Sequence, residues 1–361
     1  MSPTKPIVIV GAGVLGLTTA AVLQDRHPRT RITIVAAEVP LTPPFVDAPR
    51  PSVDYASMWA GAHFRPTPGT DPRGQLASEQ VWALETSRIM RDLALRSPES
   101  GIQSVKGREI MEYLPEDKVH FKTGDVYACG DGDEFRVLEE GELNPGGRWG
   151  CEYNTWIVNV NIYCRWLLSR FTKNGGNVLQ KRLARLEDAF DILPTGSPPP
   201  LVINCSGRNF DLDPRCNAIR GQTVLVRNAY HKTATRHNND GTWSFLIPRP
   251  LGGGTVVGGT KQMGDWGTEI RPRETEDILA NAVKCWPEFV SRVEDFEILA
   301  VNVGRRPWRD GGLRIETEDL GHGRIVVHGY GAGARGYELS WGVAGDIAQI
   351  AGGEIGEISR L

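Results

Sequence analysis

Residues 7–38 read IVIVGAGVLGLTTAAVLQDRHPRTRITIVAAE, and this stretch determines the fold class that we predict. Ile7–Val10 is a short, wholly apolar run, which is typical of a strand buried on both faces of a parallel sheet. The turn GAGVLG follows at residues 11–16, and an apolar helical segment then leads to a second buried strand at residues 31–35. The order of strand, glycine turn, helix and strand predicts a Rossmann-like α/β unit.

The spacing of the glycines in this turn predicts a dinucleotide site. Gly11 permits a tight turn, Gly13 lets the backbone approach a pyrophosphate, and Gly16 lets the helix pack closely on the strand. Free N–H groups at the helix N-terminus favour the phosphates. Glu38 follows the second strand, where a carboxylate can accept hydrogen bonds from ribose hydroxyls. The turn does not distinguish NAD from FAD, and a purely structural glycine turn is the alternative.

Composition excludes several classes of protein. The chain has 361 residues, of which 40% are hydrophobic and 24% charged, as is ordinary for a globular enzyme. Its net charge of -3 argues against a nucleic-acid surface, and no apolar run approaches the roughly 20 residues that span a bilayer. The six cysteines contain no C-x-x-C pair, so we expect no metal site.

Hydrophobic periodicity predicts the remaining elements. Helices are expected at residues 79–97, 161–174, 275–286 and 337–351, and buried strands at 201–207, 221–226 and 324–329. Residues 243–260 read as a hairpin around Pro248-Arg249-Pro250. Residues 228–242 are polar and are predicted to form a loop, whereas residues 101–149 carry only weak strand signals.

A second strand, glycine-rich turn and helix lies near the end of the chain, where residues 326–336 read VVHGYGAGARG. A simple NAD domain does not need a second such unit, whereas FAD follows a longer path. A second helix N-terminus can stabilise the negative charge that builds on a flavin during reduction. This unit therefore favours FAD, with a tightly packed structural turn as the alternative.

Residues 326–344 closely resemble the signature of the D-amino acid oxidase family, which includes the D-aspartate oxidases. Gly329 departs from it, because the family has Asn, His or Ala there. Other blocks resemble family segments in the family's order and extend the resemblance over essentially the whole chain: GAGVLGL at 11–17, ASMWAGA at 56–62, NCSG at 204–207, RGQ at 220–222, GGT at 258–260 and GRRP at 304–307.

The resemblance implies a tightly but non-covalently bound FAD and the oxidation of a D-amino acid, with hydride transfer from Cα to flavin N5. The products would be a 2-oxo acid, ammonia and, after reaction with O2, hydrogen peroxide. It implies that FAD contacts Gly11, Ala12, Gly13, Val14, Leu15, Gly16, Glu38, Ala56, Ser57, Gly61, Ala62, Leu183, Ser206, Gly207, Gly333, Gly336, Tyr337 and Glu338. It also implies a discontinuous FAD-binding domain at residues 1–60, 150–210 and 300–361, with an interleaved substrate-binding domain, built on a mainly antiparallel sheet, at 61–149 and 211–299.

The substrate contacts follow from the same resemblance. Arg306 matches the family's arginine for the substrate α-carboxylate, and a guanidinium is suited to bind a carboxylate through two hydrogen bonds. A backbone carbonyl near Ala334 would hold the amine. Phe245 stands where the family carries a tyrosine that touches the carboxylate, so Tyr230, on the preceding loop, is the candidate for that hydroxyl contact.

The predicted substrate depends on charge. Lys261 stands where D-aspartate oxidases carry arginine, and Arg335, His63 and Arg236 could add positive charge. A buried cation facing an apolar substrate is costly, whereas a second substrate carboxylate offsets that cost. We therefore expect D-aspartate or D-glutamate. The alternatives are an oxidase of neutral D-amino acids with Lys261 outside the pocket, a glycine- or sarcosine-type amine oxidase, an NAD-dependent dehydrogenase and a non-catalytic flavoprotein.

The last three residues, Ser359-Arg360-Leu361, resemble the tripeptide that directs import into peroxisomes. Hydrogen peroxide is best produced beside catalase, so we expect a peroxisomal location, with the cytoplasm as the alternative. The expected partners are therefore the amino acid, O2 and a peroxisomal import receptor, with no nucleic acid or membrane and with a homo-oligomer left open.

Overall fold

The computed structural model describes residues 5–40, 50–65, 75–114, 135–194 and 197–355. Residues 359–361 lie outside the described part, so the import signal stays a prediction. None of the helices in these ranges combines the length and the apolar character needed to cross a bilayer.

The described residues contain fifteen strands and five α-helices. The strands are β1 (Ile7–Val10), β2 (Ile32–Ala36), β3 (Ile102–Met111), β4 (Phe135–Val137), β5 (Trp149–Val158), β6 (Asn177–Gln180), β7 (Leu201–Asn204), β8 (Cys216–Val226), β9 (Thr233–His237), β10 (Trp243–Pro248), β11 (Thr255–Gly258), β12 (Gln262–Met263), β13 (Ile298–Arg309), β14 (Thr317–Asp319) and β15 (Ile325–His328). The helices are α1 (Val14–Arg26), α2 (Gln75–Arg96), α3 (Val160–Lys173), α4 (Pro272–Cys285) and α5 (Gly336–Ile355).

The chain forms two compact units. The first comprises Met1–Met58, Cys164–Ala218 and Arg306–Leu361, and the second Trp59–Tyr163 and Ile219–Arg305. The predicted domain limits run close to these, except that the second segment of the first unit begins at residue 164 and not at 150. The reason is that β5 pairs with β3 and β4 and is therefore part of the second unit's sheet.

The first unit contains a six-stranded sheet in the order β14-β15-β7-β1-β2-β6. β1 runs parallel to both β2 and β7, with Ile7 opposite Ile32 on one side and Leu201 on the other. The chain order therefore reverses beside β1, and α/β sheets bind ligands at the carboxyl ends of the strands at such a point. This topology confirms the predicted Rossmann-like α/β class.

The second unit contains a nine-stranded, mainly antiparallel sheet in the order β12-β8-β11-β10-β9-β3-β5-β4, with β13 also paired to β8. Side chains alternate between its two faces. Leu246 and Val257 pack against Ile278 of α4 on one face. The adjacent Phe245 and Ile247 belong to a different apolar cluster, on the opposite face. We call the face that carries Phe245 the front face.

The prediction that residues 228–242 form a loop is wrong, because strand β9 lies within this range. β9 pairs antiparallel with β10 and parallel with β3. Thr233 and Thr235 are buried between these neighbours although they are polar. Strand formation here depends on the partners, which a polar local sequence does not reveal.

Candidate active site

The glycine turn lies against the end of β7. Gly11 has φ +105°, and a Cβ there would lie 2.4 Å from the carbonyl oxygen of Cys205, the residue after β7. A Cβ at Gly16 would lie 2.1 Å from the carbonyl oxygen of Gly11. Both positions therefore require glycine, and the turn fits closely into the point where the strand order reverses.

The N-terminus of α1 fits an anion. Gly13 precedes the helix without a capping side chain, and the first turn has no acidic residue. The Val14 N–H donates to Ser57 Oγ at 3.0 Å, and the Tyr337 hydroxyl donates to the Ser57 carbonyl at 2.8 Å. The structure thus brings four of the predicted FAD contacts together around a helix terminus suited to a pyrophosphate.

Two further predicted contacts lie after neighbouring strands of the same sheet. Glu38 follows β2, and its carboxylate accepts hydrogen bonds from the Ser52 N–H at 2.7 Å and the Ser52 hydroxyl at 2.5 Å. Leu183 follows β6 and packs with Val10 and Val35 in one apolar cluster. An oriented carboxylate next to apolar side chains fits the ribose and adenine end of a dinucleotide.

The second glycine turn is bonded to two other segments of the first unit. The Gly331 N–H donates to the Gly207 carbonyl at 3.0 Å, and the Gly333 N–H donates to the Pro307 carbonyl at 2.7 Å. Gly331 and Gly333 have φ of +90° and +57°. The turn therefore joins the predicted FAD contacts after β7 to the end of β13, which carries Arg306.

Arg306 has a buried nitrogen that lacks a partner. Its Nη1 makes no hydrogen bond to the residues that the structure describes. Burial lowers the pKa of the guanidinium. An unsatisfied buried donor is costly, whereas a carboxylate would satisfy it with two charge-assisted hydrogen bonds. The arginine is therefore poised for an anionic group that the described protein does not supply.

The front face of the second unit carries an aromatic and cationic cluster. The Phe245 ring lies over Gly258, where a Cβ would be 2.0 Å from the ring. The Trp243 and Phe245 rings meet edge to face, with centroids 6.3 Å apart. Lys261 Nζ lies 5.7 Å and the Arg65 guanidinium carbon 5.2 Å from the Trp243 centroid. Two cations thus flank one indole.

Three predicted substrate contacts have other partners. His63 Nδ1 lies 2.6 Å from Thr233 Oγ1, and burial, together with nearby Arg65, lowers the pKa of His63 to about 3. The ring is therefore neutral near pH 7, so the predicted positive charge is wrong. Arg335 forms an ion pair with Glu338 at 2.9 Å, which compensates its charge.

Tyr230, the third of these residues, packs in the α4 cluster that includes Leu246, and its hydroxyl donates to Glu288 at 3.1 Å. It therefore contacts the face of the sheet opposite Phe245. The structure therefore does not bring the Tyr230 hydroxyl beside Phe245, whose missing hydroxyl it was predicted to replace. The position of Tyr230 in the sequence could not reveal the face, because the face depends on strand register.

Sequence reasoning missed Arg249. This buried guanidinium donates to the Ala60 carbonyl at 2.9 Å and to the Gly61 carbonyl at 3.2 Å. It therefore holds the segment predicted to lie against the flavin, and a Cβ at Gly61 would lie 2.5 Å from Ile247 Cδ1. The sequence feature that could have revealed this role is the position of Arg249 between two prolines, next to a predicted strand. Arg65 was also missed, two residues after His63.

Comparison with known proteins extends these observations. The family model described as "DAO: FAD dependent oxidoreductase" matches residues 6–350. A D-aspartate oxidase from Talaromyces thermophilus is 53% identical over 355 residues, which cover 95% of this chain and 94% of that protein. A D-amino-acid oxidase from Schizosaccharomyces pombe is 34% identical over 357 residues, with 96% of each chain covered.

The fold also matches that of a solved glycine oxidase from Bacillus cereus, with a TM-score of 0.69 and 16% identity over 97% of this chain and 95% of that one. At that identity the likeness shows the fold alone. The family match confirms the predicted family and FAD as the cofactor, and it excludes the NAD-dependent alternative. The chain belongs to the family of FAD-dependent oxidoreductases that the DAO model describes.

Proposed function

We propose that the protein oxidises acidic D-amino acids, D-aspartate and D-glutamate, to the 2-oxo acid, ammonia and hydrogen peroxide. The observation that carries this proposal is the position of Lys261 beside Trp243 on the front face. The 53% identity to a D-aspartate oxidase supports the same substrate class.

In this proposal Arg306 binds the α-carboxylate. The supporting observation is its unpartnered Nη1. A charged donor that is buried and unsatisfied is costly, so a hydrogen bond to an anion lowers the free energy substantially. Two parallel hydrogen bonds fix the plane of the carboxylate and with it the direction of the Cα–H bond. The backbone near Ala334 accepts hydrogen bonds from the amine.

Bound FAD supplies the two-electron acceptor and the site of reaction with O2. The substrate hydrogen leaves as a hydride, so no side-chain base is required. The protein's own contribution is then the orientation of the substrate and the exclusion of water. Phe245 lines the substrate site with an apolar ring in this proposal, and it has no hydroxyl with which to contact the carboxylate.

Lys261 is the better candidate of the two cations for the side-chain carboxylate. Arg65 lies 3.8 Å from the carboxylate of Glu109, which is fully buried, so its charge is largely compensated. Lys261 has no carboxylate partner among the residues that the structure describes. An uncompensated ammonium next to an indole is suited to bind an anion of the size of a carboxylate.

One observation favours a second candidate, the oxidation of neutral D-amino acids. The Lys261 side chain is exposed, so water can satisfy it without a substrate anion. The Schizosaccharomyces pombe relative is named a D-amino-acid oxidase, a name that is not restricted to acidic substrates. The glycine- or sarcosine-type alternative has only the shared fold in its favour.

The test is peroxide release by the purified protein with D-aspartate, D-glutamate, D-alanine, glycine and L-aspartate in parallel. The proposal expects high activity on the two acidic D-substrates. Preference for D-alanine would favour the second candidate, and turnover of L-aspartate or glycine would contradict both.

Two finer expectations concern partners. Binding of an import receptor through Ser359-Arg360-Leu361 stays a prediction, which localisation of the chain with and without these residues would test. Assembly into a homo-oligomer stays a prediction as well, to be tested by light scattering.

A further inference from the structure

His328, the last residue of β15, is only 1% exposed, and its two ring nitrogens meet different groups. Nε2 lies 2.9 Å from Glu318 Oε2, on the adjacent strand β14. Nδ1 lies 3.2 Å from the amide nitrogen of Asn204, the last residue of β7. A carboxylate thus faces one nitrogen and an amide group the other.

The orientation of the Asn204 amide follows from its other partners. Its Oδ1 accepts the backbone N–H of Ser206 at 3.2 Å, and its Nδ2 donates to Asn209 Oδ1 at 2.7 Å. A backbone N–H can only donate, so the amide oxygen must face Ser206 and the NH2 group must face His328. His328 Nδ1 must then be an acceptor.

This arrangement defines the protonation state of the ring. Only the neutral tautomer with its hydrogen on Nε2 accepts at Nδ1, and its Nε2–H then donates to Glu318. If Nδ1 carried a proton, its N–H and the NH2 group of Asn204 would be two donors facing each other. To avoid this repulsion, the Asn204 amide would have to turn and give up its hydrogen bond with Ser206. Protonation of His328 is therefore incompatible with the observed hydrogen bonds of Asn204.

Asn204 connects this histidine to the predicted FAD contacts. Ser206 and Gly207 form the turn directly after β7, and Gly331 donates to the Gly207 carbonyl at 3.0 Å. The intervening Cys205 carbonyl lies against Gly11. A change at Asn204 therefore acts on the wall of the crevice where the strand order reverses.

The groups around His328 oppose one another electrostatically. Burial and Arg314 lower the pKa of His328, whereas the carboxylates of Glu318 and Glu316 raise it, and the net direction is downward. Arg314 bonds both carboxylates, at 3.0 Å to Glu318 and 2.6 Å to Glu316. The Tyr330 ring stacks edge-on at 5.5 Å, and its hydroxyl donates to Asp213 at 2.9 Å. β7 contributes the uncharged Asn204.

We propose that His328 is a positioning residue for FAD, whose neutral ring orients Asn204 and thereby holds the Ser206–Gly207 turn, so that protonation of His328 weakens FAD binding. The two equilibria are linked, and the coupling is reciprocal. This inference concerns retention of the cofactor and does not depend on which amino acid is the substrate.

The test measures FAD released from diluted holoenzyme, by its fluorescence, between about pH 5 and about pH 8. In the unmodified protein the dissociation constant is expected to rise as the pH falls below the pKa of His328 in the FAD-free protein, by up to about tenfold per pH unit. Circular dichroism at each pH separates FAD release from unfolding.

His328→Asn is the diagnostic variant, because its amide oxygen can accept from Asn204 and cannot be protonated in this range. FAD affinity near pH 8 should stay within about threefold of the unmodified value. The rise of the dissociation constant at acid pH should be less steep, because FAD release is then linked to the uptake of one proton fewer. His328→Leu, which removes the acceptor, should weaken FAD binding at every pH.

Glu318→Gln gives an independent measurement if His328→Asn fails to fold. It keeps an acceptor for Nε2–H but removes the charge that raises the His328 pKa, so the acid-side rise should move to lower pH. A pH profile of FAD binding that is flat in the unmodified protein, or the same in His328→Asn and Glu318→Gln as in the unmodified protein, would overturn the proposal.

Discussion

The backbone N–H of Gly333 donates a hydrogen bond of 2.7 Å to the carbonyl oxygen of Pro307. Arg306 directly precedes Pro307, and Ala334 directly follows Gly333. The residues proposed for the α-carboxylate and the amine are therefore carried by two segments that backbone hydrogen bonding joins, and Trp308 and Ala332 form an antiparallel bridge beside this bond. This bond sets their spacing independently of side-chain rotamers, which is what orientation of a small substrate requires.

Arg306→Met tests the proposed carboxylate contact. Removal of a charged partner costs about 2–5 kcal/mol, so kcat/KM should fall by a factor of roughly 30 to several thousand on every D-amino acid. The visible flavin spectrum should persist. Because Arg306 Nη1 has no partner among the described residues, the thermal midpoint without substrate should not fall. A fall in that midpoint with unchanged kinetics would mean a purely structural role.

Lys261→Met tests the proposed side-chain contact. We expect kcat/KM for D-aspartate to fall about 10- to 100-fold, with less than about a threefold change for D-alanine. Arg335→Met is the matched control, because Glu338 already compensates Arg335 and its loss should affect D-aspartate much less. Equal losses on D-aspartate and D-alanine in Lys261→Met would contradict the proposed role.

Gly11→Ala tests the predicted role of the first glycine turn in binding FAD. The backbone has φ +105°, and the added Cβ would lie 2.4 Å from the Cys205 carbonyl oxygen, so the turn must shift. Loss of bound FAD and a lower thermal midpoint are expected. Gly353→Ala is the control, because nothing lies within 4 Å of that Cβ in α5. It should leave FAD bound and stabilise the protein by up to about 1 kcal/mol.

His63 gives a prediction for acid stability. Its pKa is about 3 in the folded protein, below the ordinary 6.5, so only the unfolded chain takes up this proton between those values. The contribution of His63 to the free energy of unfolding is complete above about pH 6.5 and is lost as the pH falls towards about 3. The slope from this one group is at most about 1.4 kcal/mol per pH unit.

His63→Asn removes this titration. Urea unfolding of both proteins at about pH 6.5 and about pH 4.5 should show a smaller acid-induced loss of stability in the variant. Equal losses in the two proteins would show that the folded protein binds this proton as readily as the unfolded chain does.

Local spacing was sufficient to predict β1, α1 and β2, because the glycines, the apolar runs and Glu38 all lie within one short stretch. The second glycine turn was predictable for the same reason. β9 was not, because Thr233 and Thr235 become a strand only through pairing with β3 and β10. Non-local pairing leaves no periodic signal in a polar segment.

The prediction of side-chain roles had the same limit, because it failed where a role depends on non-local contacts. Arg306 was predicted from the family's pattern, and its unsatisfied nitrogen agrees with a binding role. The positive charge predicted for His63 failed because burial, which depends on the whole sheet, determines its pKa. Tyr230 was predicted to contact the substrate, but it packs in the α4 cluster, and the face that it contacts depends on a strand register that cannot be counted when β9 is not recognised.

The most direct test of the proposed substrate class compares D-aspartate with D-asparagine, which has nearly the same shape but a neutral side chain. If a cation binds the side-chain carboxylate, kcat/KM for D-aspartate should exceed that for D-asparagine by about tenfold or more. Equal values, or a preference for D-asparagine, would contradict the assignment to acidic D-amino acids.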